Sequence, residues 1–135
     1  GAGASSSANV YDDTAKRHSL AEFKRLCPEG KDYLVLTQMR QLQSIEGAPM
    51  DMNHLPTLYV LDSNHDGKIS LDELIRFAKL CASKARDFGA HEYQMQMQGL
   101  CTLRMYDAAS SPSTGGVAAF AKWFTLLFSG GGGDR

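Results

Sequence analysis

The segment Asp62-Ser63-Asn64-His65-Asp66-Gly67-Lys68-Ile69-Ser70-Leu71-Asp72-Glu73 constrains the fold of this chain more than any other stretch. It satisfies the pattern D-x-[DN]-x-[DN]-G-x5-E without departure. Asp62, Asn64 and Asp66 alternate, so in a loop their short side chains can converge on one point. Gly67 allows a sharp turn through a backbone conformation that other residues resist. Ser70 followed by Glu73 is a capping box, which places the start of a helix at the end of the loop. Whatever the fold is, it must hold this loop between two helices.

The flanking sequence supplies them. Leu20, Phe23 and Leu26 recur at helical spacing behind the capping box of Ser19 and Glu22, with Asp12 to His18 as a backward extension of poor apolar periodicity, and Pro28 stops the run. A short extended run Tyr33-Leu34-Val35-Leu36 precedes a helix capped by Thr37, with Met39, Leu42 and Ile45 on one face and Gly47 at its end. A linker at Ala48-Pro49 leads to Asn53 as N-cap of a brief helix, with Pro56 in its first turn and Leu58 and Leu61 buried. The helix after Ser70 carries Leu71, Leu74, Ile75, Phe77, Ala78 and Cys81, and Gly89 closes it. Another runs from Ala90 to about Tyr106 with Tyr93, Met97, Leu100 and Leu103 inward. A loop over 107–116 precedes a last apolar helix holding Val117, Phe120, Trp123, Phe124, Leu127 and Phe128.

These six helices predict an all-α fold of helix-loop-helix units in one domain over 11–128. The units span 11–47, 53–88 and 90–128, and the low-complexity ends, 1–10 and 129–135, read as flexible tails. The extended runs near Leu36 and Ile69 lie 33 residues apart, and each precedes a hydroxyl N-cap. They form a weak internal repeat that predicts a short β-bridge between paired loops.

Composition narrows the function. Fourteen Lys and Arg against 15 Asp and Glu give a net charge of −1, which argues against an electrostatic nucleic-acid binder. No apolar run approaches the roughly 18 residues of a membrane span, and no secretory signal is expected. The three cysteines, Cys27, Cys81 and Cys101, lack a CxxC pair and read as free thiols of a reducing compartment, cytoplasmic or nuclear. His18, His54, His65 and His91 match no catalytic or metal spacing and read as surface or cap residues. No phosphate-cradling glycine motif occurs, so no enzyme is expected.

What the loop offers is oxygen. Ca²⁺ is a hard cation that takes six to eight oxygens, often in a pentagonal bipyramid. Asp62, Asn64 and Asp66 would each supply one, Lys68 its carbonyl with the ammonium turned to water, and Ser70 one through a bridging water. Glu73, one turn into the helix, has the reach to bind through both oxygens. With metal bound this use competes with its capping role. Asp72 projects outward as a helix-start charge. Ile69 is the apolar residue that ties the loop to a partner loop.

Residues 54–80 thus resemble an EF-hand, the helix-loop-helix module of calcium-binding proteins. The resemblance implies that hands pair across their loops and, when loaded, expose an apolar groove for an amphipathic helix of a protein partner. Aligning Leu36 with Ile69 puts Glu29 at the first ligand position, Leu34 at the turn glycine and Arg40 at the last, so the first hand should not bind metal. In the third unit Asp107 begins well, but no acid lies near Ala118, and that loop should also be empty. The ligand set suggests the sensor range of affinity, roughly 10⁻⁷–10⁻⁵ M, with weak competition from Mg²⁺. The methionines and the aromatic run of the last helix read either as core or as a target surface. An odd third hand can be satisfied by a homodimer or by docking of its last helix onto its own first lobe, and a calcium-independent scaffold is the alternative function.

Overall fold

A computed structural model describes residues 2–27, 29–42 and 53–128. The chain is all-α among these residues: α1 (Ala2–Leu26), α2 (Leu36–Met39), α3 (Leu55–Leu61), α4 (Leu71–Ser110) and α5 (Gly116–Phe128), with one 3₁₀ turn at Pro112–Thr114. Gly89, at φ 80° and ψ 157°, breaks α4 into two arms. Only glycine takes such a conformation readily, which is why the expected helix end falls there. Counting the arms separately, the six expected helices are all present. None is long and apolar enough to cross a membrane among the described residues.

Local chemistry accounts for most of the boundaries. Ser70 accepts from the Glu73 amide, and the Glu73 carboxylate accepts from the Ser70 amide at 3.0 Å, so the capping box of α4 is complete. Pro56 sits in the first turn of α3, where its missing N–H leaves nothing unpaired. The N-cap there is His54 rather than Asn53, and its Nδ1 lies 2.8 Å from the Thr57 hydroxyl.

Two helix starts differ from expectation. Ser19 does not begin α1. It is fully buried in the middle of that helix and donates to the Ala15 carbonyl at 2.8 Å, an i−4 bond that satisfies the hydroxyl without ending the helix. The helical backbone reaches back to Ala2, through the segment read as a tail. The second helix starts at Leu36, with Val35 as N-cap in place of Thr37. The Val35 amide donates to Gln38 Oε1 at 2.7 Å, which is the half of a capping box that does not need a polar side chain at the N-cap. Ile45, Gly47, the Ala48-Pro49 linker, Pro28 and the 129–135 tail lie outside the described residues.

The two loop regions meet in an isolated antiparallel bridge between Leu34 and Ile69, with N···O distances of 2.8 and 2.9 Å. The expected bridge is therefore present, but Leu34 rather than Leu36 is its partner. Leu36 already belongs to α2, and both Leu34 and Ile69 are fully buried. The internal repeat then has a period of 35 residues. Phe23 matches Leu58, Leu26 matches Leu61, Met39 matches Leu74 and Leu42 matches Phe77, and all eight are buried. Glu29 and Arg40 leave the end positions of the first loop, which fall on Cys27 and Gln38.

The core lies where α4 packs on α1, α3 and α5. The second arm of α4 folds back, so Tyr93 and Cys101 are buried and the Tyr93 hydroxyl meets the Cys81 thiol. Leu103, read as inward, is 65% exposed, and Cys101 takes the inward position in its place. The helix continues to Ser110, so the connection to α5 shrinks to residues 111–115. Ser111 is extended before Pro112, as residues preceding proline usually are. The third unit is thus a helix pair with a short turn and no room for a twelve-residue loop. Asp107 lies within the helix.

Ile69→Ala removes a fully buried side chain at the bridge and should cost about 2–5 kcal/mol in denaturant unfolding. Leu103→Ala should stay within about 0.5 kcal/mol. Equal losses at both positions would contradict this core.

Candidate metal centre

The loop begins where α3 ends. Asp62 is its C-cap and donates its amide to the Leu58 carbonyl at 2.9 Å. His65 takes a positive φ of 55°, and Gly67 follows at 80°, the two left-handed turns that wrap the chain around its own acids. The need for glycine at 67 is double. A Cβ there would also lie 3.1 Å from the Leu126 backbone, because α5 crosses directly over the turn.

Each acid is held by donors from the loop, and Asp62 also by one from α5. Asp62 is fully buried. Its Oδ2 accepts from the Gly67 amide at 2.8 Å and from the Trp123 indole N–H at 2.9 Å. Its Oδ1 is buried with no hydrogen-bond partner. Glu73 accepts on Oε1 from the amide and hydroxyl of Ser70, at 3.0 and 3.3 Å. Its Oε2 accepts from the Asn64 amide at 3.1 Å and the Ser63 hydroxyl at 3.2 Å. Asp66 is exposed and takes the Lys68 amide at 2.9 Å on one oxygen and Asn64 Nδ2 at 3.3 Å on the other.

Of the six residues singled out from sequence, Asp62, Asp66 and Glu73 are brought together. Their ligand oxygens lie within 4.8 Å of one another. Asn64 is joined to two of them by hydrogen bonds. Ser70 spends its hydroxyl on the cap. The Lys68 ammonium lies 4.7 Å from the Tyr33 ring centroid, a cation–π contact across the paired loops rather than a group turned only to water.

Like charges this close oppose one another in a low-dielectric site. Burial pushes the Asp62 carboxyl up to about 7, and the nearby Glu73 and Asp66 charges add to the rise, while the Trp123 and Gly67 donors work against it. A divalent cation would offset the mutual repulsion and supply the missing partner of Oδ1. The donor set therefore fits a hard, oxygen-seeking ion, on the strength of an orphaned buried carboxylate oxygen beside two further carboxylates.

Sequence reasoning missed the roof over this loop. Trp123 is 1% exposed and meets Tyr59 edge-on at 5.0 Å. Tyr59 stacks on His65 at 3.9 Å. His65 is thus a half-buried packing residue, and burial lowers its pKa. The available signal was the indole N–H, a donor that seeks an acceptor when buried. Comparison with protein-family models, curated proteins and solved structures finds no match for the chain.

In chelator, the folded state binds a proton on Asp62 more readily than the unfolded chain, whose carboxyl titrates near the ordinary 3.8. Its contribution is then most favourable below pH 4 and is lost as pH rises through about 7. Asp62→Asn, which removes the charge and keeps the shape, should raise the metal-free thermal midpoint at pH 8, with the advantage shrinking toward pH 5. A metal-free Asp62→Asn protein less stable than wild type at pH 8 would show that the buried charge carries no such cost.

Proposed function

We propose that residues 62–73 form a calcium-binding loop of the EF-hand type and that the protein is a calcium-responsive binding protein. The observations that carry this are the convergence of one oxygen each from Asp62, Asp66 and Glu73 within 4.8 Å and the buried, unpartnered Oδ1 of Asp62, in a segment that matches the twelve-residue pattern at every defined position. In this reading Asp62, Asn64 and Asp66 give side-chain oxygens, Lys68 its carbonyl, Ser70 a water-mediated contact and Glu73 two oxygens. Calcium supplies charge neutralisation and nothing redox. Glu73 links the loop to the helix that follows it, since it anchors the first turn of α4.

Glu73 also supports a sensing role. Together with Ser63 it lines a cleft of about 230 Å³ whose apolar walls are Val60, Leu61, Phe77 and Leu80, with Arg76 and Arg104 beside them. A shift of Glu73 toward a bound ion would reshape this cleft. Its apolar walls and two cations suit an amphipathic helix carrying an acidic residue.

A second reading, a calcium-independent scaffold or homodimer, draws on the outer face of α5. There Val117 is 71%, Phe124 40% and Phe128 60% exposed. Apolar side chains grouped in this way favour association.

Calorimetry with Ca²⁺ on wild type and on Glu73→Gln tests the site. The substitution should weaken binding by more than the ~10–100-fold typical of losing an outer-shell partner. An unchanged isotherm would overturn the assignment. Light scattering and binding of an apolar dye, each with calcium and then chelator, separate the two roles. A monomer whose dye binding changes with calcium is the responsive protein, and a dimer indifferent to calcium is the scaffold.

A further inference from the structure

The contact between Trp123 and Asp62 joins residues 61 apart in sequence and puts the C-terminal helix on the first acid of the loop. An indole N–H can only donate. It shares Asp62 Oδ2 with the Gly67 amide, so two donors meet one oxygen and none meets the other. The indole therefore does not contend for Oδ1. It fixes which oxygen is occupied and which is spare, and it favours the ionised carboxylate.

Two further contacts tie α5 to the same loop. The Leu126 backbone closes over Gly67, and the Trp123 ring lies 6.3 Å from that of His65, with Tyr59 against both. The helix thus touches the loop at its first, fourth and sixth residues.

We propose that α5 is a lid coupled to the metal loop, with Trp123 as the residue that positions Asp62 so that Oδ1 is left for the cation. This rests on the reading of 62–73 as a calcium loop. Coupling between two binding events is reciprocal. If the docked lid strengthens calcium binding, calcium holds the lid down by the same free energy. The lid then closes with calcium, and any new apolar surface that calcium creates lies away from α5.

The test uses the full chain and calcium alone. Trp123→Phe keeps an aromatic ring and removes the N–H. Its calcium affinity should fall about tenfold, the lower end for losing an outer-shell partner. Trp123 is the single tryptophan of the sequence, so acrylamide quenching of the wild-type emission reports the lid directly. Quenching should decrease when calcium is added, and amide exchange over 117–128 should slow by a comparable factor of about ten. Both responses should vanish in Glu73→Gln.

If wild type gives no calcium heat, the loop reading and the lid fall together. If wild type binds calcium but quenching and exchange in α5 are unchanged or increase, the lid alone falls. Equal affinity of Trp123→Phe and wild type would likewise overturn it. Should that variant not fold, the two wild-type measurements decide.

Discussion

One carboxylate ties the parts of this molecule together. Asp62 ends α3, opens the loop, accepts the amide of Gly67 and receives the indole of α5. Few buried groups are asked to serve so many elements, and a buried acid with an unpartnered oxygen is costly in a metal-free chain. Two N–H groups on the occupied oxygen offset part of that cost. A structure that keeps such a residue accepts less stability in exchange for a place where charge can be bound, a trade often met at functional sites.

The bridge between Leu34 and Ile69 is the second organising contact. It is a single pair of backbone hydrogen bonds, too little to be a sheet, yet it sets the register of two helix-loop-helix halves. Beyond it, the 35-residue period carries through both halves: apolar residues coincide, and Gln38 caps one helix as Glu73 caps the other. The halves share a scaffold and differ in charge. An amide at the last loop position can satisfy a backbone N–H but brings no negative charge, so the two loops are alike in shape and unlike in what they attract.

Much of this was legible in the residues, and the failures have physical reasons. Ser70, Pro56 and Gly89 act on their immediate neighbours, so their roles could be read locally. Leu34 and Leu36 lie on the same side of an extended run, and apolar character does not choose between them. The choice came from Gln38, whose amide starts the helix early enough to claim Leu36. Leu103 and Cys101 share one helix, and which of them faces inward depends on the first arm of α4, not on apolar character. Ser19 looked like a helix start because its pattern suits one, but a hydroxyl can also bond the carbonyl four residues back. In the loop the three acids stand close in sequence, and the fold keeps them close in space. The indole above them was not legible, since 61 residues separate Trp123 from Asp62 and no periodicity spans such a gap.

The break at Gly89 has a geometric consequence. Forty residues of unbroken helix would span about 60 Å, and twelve residues of it, the separation of Cys81 and Tyr93, about 18 Å. The Tyr93–Cys81 contact requires the chain to double back between them. Straighten that joint and the C-terminal pair is carried beyond the reach of its own Asp62. A single non-helical residue thus brings the C-terminal pair back onto the Asp62 of its own chain.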